Sequence, residues 1–176
     1  MHLPSYKEAK TTDKREYEEK NYKLKEEYKN KFLGKKCFLK TYGCQMNEHD
    51  SEIITGLLKE LGFSFTDDYE KADLILLNTC SIRENAHNKA FGMLGRCKHL
   101  KEEKKDLIIG LCGCMAQEEG VVNDLLEKYS YLNFVIGTHN IFELPEVLIK
   151  SIEEGKIQVE VYSRERELVE SLPTKR

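Results

Sequence analysis

The chain has 176 residues, of which 34% are charged and 40% hydrophobic, and its formal net charge is −3. A chain of this length buries roughly 70% of its extended surface on folding, so we expect one domain with tails that needs no disulfides. No stretch approaches the roughly 18 apolar residues of a membrane span, and residues 1–10 lack the apolar centre of a signal peptide. The small negative charge offers no footprint for nucleic acid. These features predict a cytoplasmic protein without membrane contact, and we expect it to be a monomer.

Residues 1–34 form a charged N-terminal segment rich in Lys, Glu and Tyr. Within it Tyr17, Leu24, Tyr28 and Phe32 recur at helical spacing, which predicts a charged helix from about Asp13 to Phe32. The apolar stripe is thin and the charge is high, so we expect this helix to pack loosely or to be a solvated arm.

Strand and helix patterns then alternate, which is typical of an α/β fold with a parallel sheet. We predict a three-layer sandwich whose mainly parallel sheet has about four to five strands. Its predicted strands are 36–42, 73–78, 107–111 and 134–136, with a short addition at 157–161. Its predicted helices are 48–61, 84–101, 118–129 and 143–153. The predicted domains are an arm at 1–34, the α/β domain at 35–156 and a linker at 157–176.

Cysteines stand directly after three of these predicted strands. Cys44, Cys80 and the pair Cys112 and Cys114 are separated by about one strand–helix–strand unit. Ligands of open parallel sheets bind at the carboxyl ends of the strands, so we expect these thiols to lie together. Each loop enters a helix N-terminus, with Asn47 as the expected cap of the first helix, and this environment favours thiolate.

Thiolates at one electropositive edge predict a soft metal centre, although its identity stays open. An iron–sulfur cluster with three cysteines would keep one iron open, whereas a catalytic zinc would use three ligands and a water. The alternative without metal is that the cysteines are small buried hydrophobic residues at strand ends.

The six cysteines are not equivalent. Cys37 lies inside a predicted strand and Cys97 on the apolar face of a predicted helix, so we expect both in the core. Cys112 and Cys114 compete for the third ligand position, and the loop placement of Cys114 after Gly113 favours it. His49, His87 and His139 follow strands as well, although we expect them to be exposed or hydrogen-bonded rather than ligands.

Three motifs carry a family resemblance: TYGCQMN from Thr41, NTCSIRENA from Asn78 and GCMAQ from Gly113. Together they resemble the N-terminal domain of the methylthiotransferases, which are radical S-adenosylmethionine enzymes, over about Lys35 to Glu154. The first motif is most similar to the tRNA branch of the family, which adds a methylthio group at C2 of N6-isopentenyladenosine beside the anticodon.

The resemblance implies that Cys44, Cys80 and Cys114 hold an auxiliary 4Fe–4S cluster with one open iron, through which sulfur is delivered. In the family a second 4Fe–4S cluster, bound by a Cys-x3-Cys-x2-Cys motif, cleaves S-adenosylmethionine. That motif and the RNA-binding domain are not in these 176 residues. We therefore expect a fragment that is inactive alone. Its expected partners are the radical and RNA-binding domains of the same protein, and those domains would make most of the contacts with tRNA. No catalytic residue is assigned, and five polar residues are expected to line the site: Gln45, Asn47, Asn78, Arg83 and Gln117.

Two other classes of protein stay open. One is a non-catalytic, flavodoxin-like or receiver-like interaction domain with incidental cysteines. A receiver would have an acidic cluster with a phosphorylatable aspartate at the strand ends, whereas here the second strand ends at Asn78-Thr79-Cys80. The other is a three-cysteine zinc hydrolase, although no carboxylate base adjoins the thiols in sequence.

Overall fold

The computed structural model describes the backbone of residues 18–21, 23–80, 84–114, 119–160 and 167–170. Side chains are described within 23–80, 88–114 and 122–160. In the described residues, no helix is long and apolar enough to cross a lipid bilayer.

Eight strands are present in the described residues. In chain order they are β1 (Glu18–Asn21), β2 (Lys36–Tyr42), β3 (Ser64–Phe65), β4 (Leu74–Thr79), β5 (Ile108–Cys112), β6 (Phe134–Ile136), β7 (Gln158–Glu160) and β8 (Glu167–Glu170). Six of them form one sheet in the order β3-β2-β4-β5-β6-β7, and every described pairing is parallel. The other two, β1 and β8, pair with each other in parallel.

Among the residues that the structure describes, four α-helices cover the sheet: α1 (Gln45–Glu60), α2 (Glu84–Glu103), α3 (Glu119–Lys128) and α4 (Leu144–Glu154). Apolar residues of α1 and α4 form one core cluster, and those of α2 and α3 contribute to a second. Each face of the sheet is thus buried under helices, which explains why β4 is buried along its whole length. The α/β class and the parallel sheet are confirmed.

Helix α1 shows how local sequence sets these elements. Ile54, Leu57 and Leu58 recur on one face and are at most 1% exposed, and burying such a side chain stabilises the fold by about 1.5–3 kcal/mol. The helix ends at Glu60 with Leu61 as its C-cap, and Gly62 follows with a φ of +99° that favours glycine.

The sheet has more strands than the four to five predicted. Strand β3 has only two residues, which is too short to show a period-2 pattern. The predicted extra strand at 157–161 is present as β7, so the sheet includes residues that the domain prediction assigned to the linker. The other strands and helices predicted for the α/β domain are observed with ends shifted by up to three residues.

The predicted N-terminal helix is wrong for the described residues. Glu18–Asn21 is strand β1, and Glu26–Tyr28 is a single 3-10 turn. The chain is held by tertiary contacts instead: the Phe32 ring stacks on Phe63 at 4.8 Å between centroids, and the Phe32 N–H donates to the Leu61 carbonyl at 2.8 Å. The segment from 23 to 34 therefore packs on the core and is not a solvated arm there, while Asp13 to Tyr17 lie outside the described residues.

Candidate thiol site at the carboxyl edge of the sheet

Strand register places the predicted ligand loops at the same level of the sheet. In β2 and β4, Tyr42 pairs with Thr79, so Cys44 and Cys80 follow the same rung by two residues and one. In β5, Cys112 pairs with Asn78, so Cys114 extends just beyond that rung. Helix α1 leaves β2 toward one face, and α2 leaves β4 toward the other. Ligands of open parallel sheets bind at such a switch point, outside the carboxyl ends of the strands, and the loops that carry the thiols start there.

Cys44 is the N-cap residue of α1, which corrects the expectation that Asn47 caps this helix. Asn47 is at the third helical position and completes a capping box, because its side-chain Oδ1 accepts from the Cys44 N–H at 3.3 Å. Cys44 is the N-cap because its backbone is still extended, with φ −100° and ψ −174°, and the helical conformation begins at the next residue. The backbone N–H groups of Asn47 and Met46 point at its sulfur and lower the pKa of the Cys44 thiol.

Cys80 lies deeper than Cys44. It is 1% exposed, and its N–H donates to the Tyr42 carbonyl at 3.0 Å. Its side chain is also one of the groups that lower the pKa of the Cys44 thiol, so two of the three predicted ligands lie near each other. Cys80 is therefore the buried thiol of the site, and Cys44 lies at its more exposed side, which we call the rim.

The third position separates Cys112 from Cys114. Cys112 is the last residue of β5, is 1% exposed, and packs in the core next to α1. Its burial raises the pKa of the thiol, which disfavours thiolate. Cys114 is half-buried beyond Gly113 and lies within 3.9 Å of the Asn47 Nδ2. The geometry thus favours Cys114 as the thiol that faces the crevice.

Asn47 and Asn78 form a fully buried amide pair between these loops. The Asn78 Nδ2 donates to the Asn47 carbonyl at 2.8 Å and to the Ser51 Oγ at 2.9 Å. The Asn47 Nδ2 lies 3.2 Å from the Asn78 Oδ1. Ser51 Oγ in turn lies 2.7 Å from the hydroxyl of Thr41. The pair ties α1 to β4, and the contact between Ser51 and Thr41 ties α1 to β2, through the polar partners that buried groups require.

Glycines precede two of the cysteines and let the main chain lie close to this amide pair. At Gly43 a Cβ would meet the Asn47 side chain and would come within 2.8 Å of the Cys80 Cβ. At Gly113, where φ is +106°, a Cβ would come within 2.6 Å of the Asn78 Oδ1. Both positions exclude a side chain, so the loops are packed tightly around Asn47 and Asn78.

The structure also places the remaining candidates. Asn47 and Asn78 are at the centre of the site, Gln45 is exposed at the start of α1, and Arg83 and Gln117 lie outside the described residues. Ser51 and Thr41 were not predicted as site residues, because only the fold places them beside Asn78.

Cys37 and Cys97 are 0% exposed, which confirms that both are core residues. Their burial raises the pKa of each thiol, that of Cys97 to about 11.

Histidines and carboxylates add no ligand set in the described part of the chain, where no three His, Cys, Asp or Glu side chains lie close enough to hold one metal ion. The His49 Nδ1 lies 3.8 Å from a Glu52 oxygen on the exposed surface of α1. Partial burial of Asp50 raises its pKa to about 6, and the nearby His49 and His139 oppose that shift.

The fold and the site define an α/β domain that presents thiols at the carboxyl edge of a parallel sheet. Residues 36–137 match the sequence profile of a family described as uncharacterized protein family UPF0004, and the chain belongs to this family. The matched residues contain all the strands and loops that form the thiol site.

Curated relatives support the resemblance predicted from the three cysteine motifs. The tRNA-2-methylthio-N(6)-dimethylallyladenosine synthase of Staphylococcus epidermidis is 49% identical over 171 residues, which cover 97% of the chain and 33% of that protein. The protein of the same name from Bacillus pumilus is 48% identical over 173 residues, covering 98% of the chain and 34% of that protein. The Bacillus cereus protein of that name is 49% identical over 171 residues. The chain spans about a third of the length of these relatives. The predicted resemblance to the methylthiotransferases is confirmed.

Proposed function

We propose that this chain is the cluster-binding domain of a tRNA methylthiotransferase, with Cys44, Cys80 and Cys114 as ligands of a 4Fe–4S cluster. The observation that carries the proposal is the convergence of three thiol loops on the Asn47–Asn78 pair at the switch point of the sheet. The relatives' names supply the reaction class.

The donor set fits an iron–sulfur cluster in two respects. Its ligands are thiols, which are soft donors. Backbone N–H groups of Met46 and Asn47 point at the Cys44 sulfur and favour its thiolate, as a cluster requires. A four-iron cluster is larger than a single ion, so its thiolates stand farther apart than the ligands of a lone zinc. Bound by three cysteines, the cluster would leave one iron without a protein ligand and would thus supply a position for the sulfur that is transferred.

The protein's own residues would hold and orient the thiols. Cys80 anchors the site from the buried side, whereas Cys44 and Cys114 are half-buried and open toward solvent. Gly43 and Gly113 keep side chains out of the spaces beside Asn47 and Asn78. We propose that the complete reaction on N6-isopentenyladenosine needs further domains, which bind S-adenosylmethionine and most of the tRNA.

Iron loading tests this proposal. The protein is reconstituted anaerobically with iron and sulfide, and iron is counted while the absorption and paramagnetic spectra are recorded. Wild-type protein should bind about four irons, and Cys44→Ala, Cys80→Ala and Cys114→Ala should each lose most of them. Cys97→Ala and Cys112→Ala are the matched controls and should keep iron. Equal iron in all five variants would refute the proposed ligands.

Two outcomes would favour other functions. Stoichiometric zinc with no iron would favour the three-cysteine zinc site. Binding of neither metal would favour a non-catalytic interaction domain. The order of the strands in the main sheet supports this alternative, because it matches the flavodoxin-like order.

A further inference from the structure

The buried amide of Asn47 reaches the two half-buried thiols at the rim of the site, those of Cys44 and Cys114. Its Oδ1 lies 3.3 Å from the Cys44 nitrogen and 3.4 Å from the Cys44 sulfur. Its Nδ2 lies 3.9 Å from the Cys114 sulfur. A single side chain that is 0% exposed thus spans the gap between a loop after β2 and a loop after β5.

The neighbouring groups fix which way this amide points. Both N–H groups of the Asn78 side chain are used, because its Nδ2 donates to the Asn47 carbonyl and to Ser51. The Asn78 Oδ1 must therefore face Asn47, and only the Asn47 Nδ2 can donate to it, at 3.2 Å. The second N–H of that Nδ2 is left for the Cys114 sulfur, and the Oδ1 is left for Cys44.

We propose that Asn47 is a positioning residue of the site, which sets the separation of Cys44 and Cys114 and donates an N–H to the Cys114 sulfur. The inference rests on the proposed function for its ligand, although the thiol geometry is present without metal. A hydrogen bond to a ligand sulfur stabilises the more reduced, more negative cluster and so raises its reduction potential.

A role in helix capping alone makes a different prediction. Asn47→Asp keeps an oxygen to accept from the Cys44 N–H, and an acidic residue in the first turn suits the helix dipole. It removes the donor toward Cys114 and Asn78, and it adds a negative charge at a buried position. Asn47→Ala removes both donor and acceptor. If Asn47 only caps the helix, Asn47→Asp should keep the wild-type separation of the thiols, and Asn47→Ala, which adds no charge, should leave the reduction potential of the cluster unchanged.

The first test needs no metal. Metal-free protein is treated with a short bifunctional thiol reagent, and the Cys44–Cys114 cross-link is quantified by peptide mass spectrometry. We expect the yield to fall several-fold in Asn47→Asp and Asn47→Ala. The control Asn140→Ala removes another fully buried amide, which donates to the Glu160 carbonyl at 2.8 Å at the end of β7, and should keep the wild-type yield. Circular dichroism identifies any variant that does not fold, and Asn47→Asp, which retains the cap, then decides.

The second test uses the loaded protein. The midpoint potential of the cluster should shift to more negative values in both Asn47 variants and stay unchanged in Asn140→Ala. Wild-type cross-linking in folded Asn47→Asp, together with an unchanged potential in folded Asn47→Ala, would overturn the inference while leaving the proposed function intact. Failure of wild-type protein to take up iron, with the cross-link still dependent on Asn47, would overturn the proposed function and not the positioning of the thiols.

Discussion

Gly113 lies directly against the side chain of Asn78. A Cβ at position 113 would come within 2.6 Å of the Asn78 Oδ1 and within 2.9 Å of the Thr79 nitrogen, and φ there is +106°. The backbone of Thr79 cannot yield as a flexible side chain would. This contact fixes where the loop that carries Cys114 crosses the end of β4.

Gly113→Ala should therefore destabilise the protein by about 2–4 kcal/mol, because a left-handed conformation and a steric clash are combined at one residue. Urea denaturation measures the free energy of unfolding. Gly92→Ala is the matched control: position 92 lies on α2 with nothing within 4 Å of a Cβ, so alanine should stabilise by up to about 1 kcal/mol. Equal effects at the two positions would contradict the packing of the loop.

Phe32 should be a stability residue although it precedes the first strand of the main sheet. Its ring stacks on Phe63 with an interplanar angle of 17°. Phe32→Ala should cost about 2–4 kcal/mol, since it removes an aromatic side chain packed on the core. Its neighbour Leu33 is 69% exposed, so Leu33→Ala should change stability by less than about 0.5 kcal/mol in the same thermal or urea melts. A small effect at Phe32 would mean that the N-terminal segment does not pack in solution.

Asp50 should make stability depend on pH. Its pKa of about 6 in the folded state lies above the ordinary value of 3.8, so the folded state holds its proton more tightly than the unfolded state. The resulting penalty is absent below the ordinary pKa, grows between 3.8 and 6, and is full above that range. Asp50→Asn should then stabilise by about 1–2 kcal/mol at neutral pH after allowance for solvent screening, and by almost nothing near pH 4. A gain that is the same at both pH values would show that the carboxyl is not perturbed.

Thiol reactivity should separate the rim of the site from the core. Alkylation of metal-free protein, followed by peptide mass spectrometry, should label Cys44 at a lower pH than an ordinary cysteine, because backbone N–H groups favour its thiolate. Cys37, Cys97 and Cys112 should stay unlabelled until the protein unfolds, since each is at most 1% exposed and burial raises its pKa. Early labelling of Cys112 would reopen its competition with Cys114.

Much of this architecture follows from sequence periodicity. The apolar run Leu74 to Leu77 predicts a buried parallel strand, and the i, i+3, i+4 repeat from Ile53 to Leu61 predicts α1, because burial on one face or two leaves a direct mark on residue order. The carboxyl-edge rule then brings Cys44, Cys80 and Cys114 together from separate motifs.

The rest depends on contacts between distant residues. The spacing of Leu24, Tyr28 and Phe32 fits a helix, yet Asn30 has a φ of 56° and these side chains pack on the core from a chain of turns, so tertiary packing overrides the local pattern. The Asn47–Asn78 pair joins residues 31 positions apart, and no local pattern encodes their hydrogen bond. Asn78 did carry a weak signal, as a polar residue in an otherwise apolar strand.

The two edge strands of the main sheet have a consequence for association with other chains. One edge strand is β3 with two residues, and the other is β7 with three, while the longer strands β2, β4 and β5 are interior. Another chain can add a strand to a sheet by pairing with the free N–H and C=O groups of an exposed edge strand. Very short edge strands offer few of these groups. The described sheet is therefore poorly suited to grow by strand addition, and contacts with other domains or molecules would have to use its helices and loops.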